Sequence, residues 1–206
     1  MARPRSDIAP RIVHAARERF LLDGVDGASL RNIARDASTS IGMIYYYFPT
    51  KDDLFLAVVE EVYVGLLRDM EATFTPESKV EEIAQRMYRR IANMNDVEFA
   101  VIRMIVREGL VSSVRLERLV DRFARGHLPL VFQTLLRGMQ SGEVESKQGI
   151  LPPMLAMLAL GILPQLIRRI ADARISTLAG GAAPSAESLA DSLASILIVG
   201  IGRKSE

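Results

Sequence analysis

The chain has 206 residues, of which 49% are hydrophobic and none is cysteine. This length suits one or two domains with a sizeable core, and the missing cysteines exclude disulfide bonds and thiolate metal sites. The N-terminal run MARPRSDIAP contains no apolar signal region, so we expect a cytoplasmic protein.

The net charge of +1 is unevenly distributed along the chain. Residues 1–51 contain eight basic and five acidic residues, whereas the remainder contains 18 basic and 20 acidic ones. A basic N-terminal segment followed by a near-neutral remainder is consistent with nucleic-acid binding at one end of the protein. By itself this asymmetry is weak evidence, because surface charges vary this much by chance.

The first predicted element is a helix over about residues 8–22. Ile12, Ala16 and Phe20 are four apart and share one face, and Gly24 can end the helix.

A short helix and a tight turn follow. Leu30, Ile33 and Ala34 fall at helical spacing, and Ser29 stands before them as an N-cap. The run Ser38-Thr39-Ser40 then breaks the periodicity, so it predicts a turn that caps the next helix.

The next short helix has one apolar and one exposed side. Ile44 and Phe48 are four apart and return to the core, whereas Gly42, Tyr45 and Tyr46 lie on the other side. Two short helices with a tight turn between them are the layout of a helix-turn-helix, whose second helix lies in the DNA major groove.

A longer helix, predicted to run to about Phe74, begins at Thr50-Lys51-Asp52-Asp53. This run resembles a capping box in which Asp replaces the usual Glu or Gln. Leu54, Val58 and Val62 then form one apolar row.

Over about the first sixty residues the pattern resembles the TetR family of bacterial transcriptional repressors. The residues that carry the resemblance are Ala15-Ala16 to Phe20, Gly24, Ser29-Leu30-Arg31-x-Ile33-Ala34, Ala37, Ser40-x-Gly42-x-Ile44-Tyr45-Tyr46-x-Phe48 and Lys51-x-x-Leu54-Phe55. The resemblance implies an N-terminal DNA-binding domain followed by a larger helical domain for ligand binding and dimerisation. Two positions depart from the family: Ser38 replaces a frequent glycine, and Ile41 replaces a frequent basic residue.

Twelve residues are candidate DNA contacts. Tyrosine hydroxyls can donate to phosphate, so Tyr45 and Tyr46 are candidates; alternatively they are ordinary half-buried aromatic residues. The resemblance implies a phosphate contact for Lys51. Arg3 and Arg5 form a basic arm for the DNA backbone or minor groove, or else a solvated terminus. The candidates are Arg3, Arg5, Ser29, Arg31, Thr39, Ser40, Ile41, Gly42, Met43, Tyr45, Tyr46 and Lys51.

Ile41 has two interpretations. It can cover the edge of the core near Phe48, or it can touch a thymine methyl group in the major groove. Since Met43 is also apolar, the recognition helix has few base-specific donors beyond Thr39 and Ser40. We therefore expect DNA shape to supply part of the specificity.

Five further helices are predicted, which makes about nine in an all-α fold. Thr75-Pro76 opens the first of them, Gly126-His127-Leu128-Pro129 interrupts the third, and Pro164 kinks the fourth. The apolar run of residues 150–164 is shorter than the ~20 residues of a spanning helix, so we predict a buried helix. The five helices cover about residues 75–93, 96–113, 114–141, 151–178 and 185–202.

These elements predict a DNA-binding domain over residues 1–51, a connecting helix over 52–74, and a ligand-binding and dimerisation domain over 75–206. The last two helices are apolar around much of their circumference, so they need cover on several sides. The resemblance implies a homodimer through these helices, which suits a palindromic operator with half-sites ~34–36 Å apart or a multiple of that. The alternative is that they form the core of a monomer.

The middle helices are predicted to bind a small, mostly apolar effector. Methionines adapt to irregular apolar surfaces, and polar groups would orient a ligand, although each candidate also has a purely structural explanation. The candidates are Met87, Tyr88, Asn93, Phe99, Arg103, Met104, Phe123, His127, Phe132, Gln133, Met157 and Gln165.

The sequence therefore predicts a transcriptional regulator rather than an enzyme, without cofactor or metal. The chain has two histidines and no HExxH or phosphate-loop motif. We hypothesise that a ligand-free dimer blocks an operator and that the ligand releases it by shifting the helix over residues 54–74. The alternative is a helical ligand-binding or interaction protein without specific DNA binding.

Overall fold

The computed structural model describes residues 7–178 and 184–201. The predicted basic arm of Arg3 and Arg5, and most of the run 180–184, lie outside these residues. The described residues contain ten helices and no strand, which confirms the predicted all-α class. The elements are α1 Ile8–Gly27, α2 Leu30–Asp36, α3 Ile41–Tyr47, α4 Lys51–Thr73, α5 Val80–Ala92, α6 Asp96–Val111, α7 Ser113–Ala124, α8 His127–Ser141, α9 Leu151–Leu178 and α10 Ala186–Ile201.

One predicted interruption is confirmed, and one predicted helix start is wrong. The predicted helix over residues 114–141 is interrupted near Gly126 and forms two helices, α7 and α8, because Gly126 leaves the helical conformation at φ −129° and ψ −112°. The predicted start at Thr75-Pro76 is wrong. The Thr75 hydroxyl lies 2.8 Å from that of Ser78 in a turn, and α5 begins only at Val80, whose N–H donates to the carboxylate of Glu143.

The described chain divides into two compact units, and this division does not follow the predicted domain boundaries. The first unit contains residues 7–66 and 96–123, and the second contains residues 67–95, 124–178 and 184–201. Helices α6 and most of α7 thus belong with the N-terminal helices. The assignment of separate functions to residues 1–51 and 75–206 stays a prediction.

The first unit has a core of fully buried apolar side chains. They come from α1, α2, α3, α4, α6 and α7, and include Ile12, Phe20, Ile33, Ile44, Leu54, Phe55, Val101 and Leu119. Helix α1 is interrupted at Gly24, whose φ of +76° is a conformation that residues with a side chain rarely adopt. The predicted break at Gly24 is therefore confirmed, although helical turns resume as far as Gly27.

The second unit packs α5 against α8, α9 and α10. The buried Tyr88 hydroxyl donates to the Met157 carbonyl at 2.8 Å, and burial raises the pKa of Tyr88. Gly161 faces the same ring so closely that a Cβ there would lie 2.9 Å from it. The helices are therefore in close contact around Tyr88.

Helix α9 is less buried than predicted. Residues Leu151–Ile170 are long and apolar enough to cross a membrane by length and composition alone. This is a weak indication of a membrane helix, because core helices of soluble proteins pass the same test. Only 28% of that apolar stretch is buried within the chain, and Leu155, Leu163 and Ile167 are exposed. The prediction of a buried helix is therefore wrong for this chain by itself.

Candidate DNA-binding surface

The turn between α2 and α3 keeps its tight geometry without a glycine. Ser38 has a left-handed φ of 50°, and no other non-glycine residue in the described ranges has a positive φ. The N–H groups of Ser38 and Thr39 donate to the carbonyls of Arg35 and Ala34, at 3.0 and 2.9 Å. These two bonds close the turn and offset part of the backbone strain at Ser38.

The two predicted helix caps have different outcomes. The Ser40 hydroxyl accepts a 3.3 Å hydrogen bond from the Met43 N–H, which confirms it as the N-cap of α3. Ser29 occupies the N-cap position of α2, but its side chain makes no capping bond. Its backbone carbonyl instead accepts from the Ile33 N–H at 3.0 Å, so the predicted side-chain cap at Ser29 is wrong.

Helix α3 presents an aromatic face to solvent. Ile44 is fully buried, whereas Tyr46 is 76% exposed and Tyr45 52% exposed. The Tyr46 ring makes an edge contact with that of Tyr47, at 5.1 Å between centroids. Both side chains are therefore accessible to a molecule outside the chain.

Gly42 has no packing role among the residues that the structure describes. A Cβ at this position would meet only the Ser40 hydroxyl, at an ordinary 3.8 Å. Glycine inside a helix costs about 1 kcal/mol relative to alanine, and nothing in the fold around Gly42 requires it. Close approach by a molecule outside the chain remains as a reason for this residue.

The other predicted contacts of the helix-turn-helix lie at its surface. Ile41 and Arg31 are exposed, while Thr39 and Met43 are partly buried. Because Ile41 is exposed, its side chain is accessible to a base. This exposure does not exclude a contact with the edge of the core near Phe48.

The start of α4 is a reciprocal capping box, as predicted. The Thr50 N–H and hydroxyl donate to the Asp53 carboxylate at 2.9 and 2.6 Å, and the Asp53 N–H donates back to the Thr50 hydroxyl at 3.1 Å. The Thr50 hydroxyl is the main cause of a lowered pKa for Asp53, with a further contribution from Arg118. This box orients the first turn of α4, where Lys51 lies.

Lys51 connects the start of α4 to the end of α1. Its Nζ donates to the Asp26 carbonyl at 3.0 Å. The Asp26 carboxylate accepts two bonds from Arg115, at 2.6 and 2.9 Å, and Arg115 also reaches the Asp52 carboxylate at 3.3 Å. Lys51 therefore contacts the backbone of one aspartate, Asp26, and directly precedes another, Asp52, and Arg115 binds the carboxylates of both.

Arg115 is itself buried beside a buried acid. The residue is 4% exposed, and Glu108 is 3% exposed. Arg115 Nε lies 3.2 Å from a carboxylate oxygen of Glu108 in an ion pair without hydrogen-bond geometry. Glu108 also accepts from the Arg107 side chain at 3.0 Å and the Val25 N–H at 3.4 Å.

Two more arginines of α7 pair with acids of α4. Arg118 donates to Asp53 at 2.8 Å, and Arg122 makes two 2.7 Å bonds to Glu60. Together with Arg115 these residues have the spacing i, i+3, i+7, which is one face of a helix. The spacing of these three arginines is visible in the sequence. Their acidic partners on α4 lie more than sixty positions away along the chain, so the sequence did not predict these ion pairs.

The predicted ligand-binding residues belong to two different units. Phe99, Arg103, Met104 and Phe123 are in the first unit. In the second unit lie Met87, Tyr88, Asn93, His127, Phe132, Gln133, Met157 and Gln165.

Several polar candidates in the second unit have partners within the chain. Gln165 donates to the Ala186 carbonyl at 3.0 Å, and Asn93 donates to the Arg89 carbonyl and to Glu187. Gln133 lines a surface cleft of about 260 Å³, together with Phe74, Leu130, Arg137 and others.

Comparison with known proteins assigns a family to the N-terminal helices. A family model described as bacterial regulatory proteins, tetR family, matches residues 12–58. The chain is 23% identical to the Fatty acid metabolism regulator protein of Bacillus subtilis, over 76% of this chain and 80% of that protein. It is 27% identical to the transcriptional regulator SrpR of Pseudomonas putida, over 65% of this chain and 62% of that protein.

Solved structures share the fold over almost the whole chain. The regulator FadR from Bacillus subtilis in complex with stearoyl-CoA has a TM-score of 0.71 at 19% identity, covering 93% of this chain and 98% of that chain. NalD of Pseudomonas aeruginosa, a repressor of a multidrug efflux pump, has a TM-score of 0.72 at 18% identity, covering 97% and 99%. At these identities the likeness shows the fold alone.

The capping box predicts a specific acid sensitivity of the fold. Because the folded-state pKa of Asp53 is lowered, its contribution to stability is present above its usual pKa of about 3.9 and is lost as the pH falls through the folded value. We expect Asp53→Asn, measured by thermal unfolding between about pH 2.5 and 6, to reduce this acid-dependent loss. Thr50→Ala should raise the Asp53 pKa in a carboxyl NMR titration, and an unchanged pKa would refute the assignment of its cause.

Proposed function

We infer that this chain, which belongs to the TetR family of bacterial regulatory proteins, represses transcription in the cytoplasm as a homodimer on a palindromic operator. Membership makes it a ligand-responsive, DNA-binding transcriptional regulator, and its named relatives are regulators rather than enzymes. The observation that carries the proposal is the exposed face of α3, with Gly42, Tyr45 and Tyr46, followed by Lys51 at the start of α4.

Four side chains in this surface have a proposed contact. Tyr45, Tyr46 and Lys51 donate to phosphates, because hydroxyl and ammonium groups position a protein on the DNA backbone. Ile41 touches a thymine methyl group. Since α3 carries few donors for base edges, sequence-dependent shape of the operator contributes to specificity.

The first test is selection of random duplex DNA by the purified protein. We expect an enriched palindrome that binds with a steep salt dependence. Lys51→Ala should then weaken binding of this duplex about tenfold and reduce the slope of log affinity against log salt by about one unit per lost contact.

Lys79→Ala is the matched control, since it removes the same side chain from the start of α5 in the second unit. We expect it to leave affinity unchanged. If no duplex were enriched, or if Lys51→Ala, Tyr45→Ala and Tyr46→Ala all bound as tightly as the wild type, the chain would be a helical ligand-binding or interaction protein instead.

The proposed dimer uses the exposed apolar faces of α9 and α10. Leu155 and Ile167 are exposed on α9, and Ile196 and Val199 on α10, with Val199 80% exposed. Apolar surface of this kind gains free energy when a second copy covers it. A symmetric dimer also matches a palindromic operator.

Substitutions in this surface test the dimer. Ile167→Glu and Val199→Glu would bury an unpaired charge between the subunits, so we expect dimerisation to weaken at least about tenfold in analytical ultracentrifugation. Leu110→Glu, at an exposed position of α6 in the first unit, is the control and should remain dimeric. Equal dimerisation of all three variants would place the interface elsewhere.

The proposed effector is mostly apolar and enters the second unit. Five methionines belong to or pack against its core, namely Met70, Met87, Met139, Met154 and Met157. Methionine side chains repack readily around an inserted apolar molecule. The cleft lined by Phe74, Leu130 and Arg137 adds a cationic group beside apolar ones, which suits an amphiphile with an acidic end.

A fatty acyl-CoA is the first effector class to test, because a similar solved structure contains stearoyl-CoA. We expect stearoyl-CoA to weaken binding of the selected duplex about tenfold, within the usual range of coupling between two sites, while CoA alone has no effect. Unchanged duplex affinity at saturating stearoyl-CoA would exclude stearoyl-CoA as the effector.

A further inference from the structure

Lys51 belongs to a connected group of charges in which cations and carboxylates balance. Hydrogen bonds and ion pairs link Lys51, Arg107 and Arg115 with the carboxylates or backbone of Asp26, Asp52 and Glu108. Three positive and three negative groups leave this cluster, which we call the Lys51 cluster, with no net charge.

The positions of two carboxylates in the Lys51 cluster explain why its net charge affects DNA binding. The Asp26 side chain is 73% exposed, and Asp52 directly follows Lys51 in the first turn of α4. Both carboxylates would repel a phosphate that approaches the Lys51 ammonium group, since charges interact over several ångströms near a protein surface. Arg115 contacts both carboxylates at once.

The chemistry of Arg115 suits a permanent neutralising role. A guanidinium group stays protonated at any physiological pH, and its planar fork can bind several oxygens. At 4% exposure, Arg115 has little access to a phosphate, so a direct DNA contact does not explain it. Its burial beside Glu108 keeps the side chain in one position, because an unpaired buried charge is strongly disfavoured.

We propose that Arg115, on α7, is a positioning residue for operator binding: it neutralises Asp26 and Asp52, so that Lys51 remains available to a DNA phosphate. This inference rests on the proposed phosphate contact of Lys51. Under this proposal, operator affinity depends on the net charge of the Lys51 cluster. Part of this cluster lies on α6 and α7, which are far from α3 in the sequence.

Four proteins test the proposal by changing that charge in steps. Binding is measured to the duplex enriched by selection, for the wild type, Arg115→Gln, Asp26→Asn, and the double variant that combines both changes. The cluster charges are then 0, −1, +1 and 0. We expect Arg115→Gln to bind about tenfold more weakly, Asp26→Asn to bind more tightly, and the double variant to recover most of the loss.

Salt separates an electrostatic effect from damage to the fold. The ratio of wild-type to Arg115→Gln affinity should shrink between about 0.05 and 0.2 M salt, because screening shortens the range of the charges. A loss caused only by misfolding would not be restored by the second substitution. If Arg115→Gln fails to fold, Asp26→Asn, at an exposed carboxylate, decides the question alone.

Arg122→Gln is the matched control on the same helix. It also removes one arginine from an ion pair with α4, but its partner Glu60 is nine residues after Lys51, or about 13 Å along the helix axis, which exceeds the screening length of about 10 Å at 0.1 M salt. An equal loss in Arg122→Gln and Arg115→Gln, or Asp26→Asn binding no more tightly than the wild type, would overturn the proposal. If the wild type enriches no duplex, the proposed function fails, and this inference fails with it.

Discussion

The buried ion pair of Glu108 and Arg115 is the interaction on which the first unit depends. Two opposite charges that are almost completely removed from water must be paired, because either one alone would carry a large desolvation cost. Glu108 uses its remaining capacity on the Val25 N–H and Arg107, and Arg115 extends to Asp26 and to Asp52. The pair therefore connects the end of α1, the start of α4, and helices α6 and α7.

This connection explains why the break at Gly24 is needed. The left-handed φ of Gly24 turns the chain at the end of α1, and Val25 then directs its N–H to Glu108. Asp26 follows immediately, with its carbonyl accepting from Lys51 and its carboxylate from Arg115. A continuous helix would not present these three groups in this way, so the backbone of α1 and the charge cluster depend on each other.

The second unit depends on apolar burial instead. Its core surrounds Tyr88 with side chains from α5, α8, α9 and α10, and methionines give that core room to adapt. Several large apolar side chains of α9 and α10 nevertheless remain exposed. Hydrophobic composition alone therefore does not distinguish a buried helix face from an exposed one.

Local rules in the sequence predicted most of the helices well. The spacing of apolar residues, the break at Gly24, the Ser40 cap and the capping box at Thr50 are short-range features, because each involves residues at most a few turns apart. The helix-turn-helix and its exposed tyrosines follow from the same rules. The family was predicted from the resemblance of the motifs over about the first sixty residues, and that resemblance implied a DNA-binding regulator.

Only the tertiary structure decided which distant groups meet. Helix α5 begins at Val80 because Glu143 caps it from 63 positions away, and Arg115 reaches Asp26 across 89 positions. It also placed α6 and most of α7 with the N-terminal helices. Periodicity identifies the face of a helix but not its partner, because charges and hydrogen bonds act over a few ångströms in space, whatever their separation along the chain.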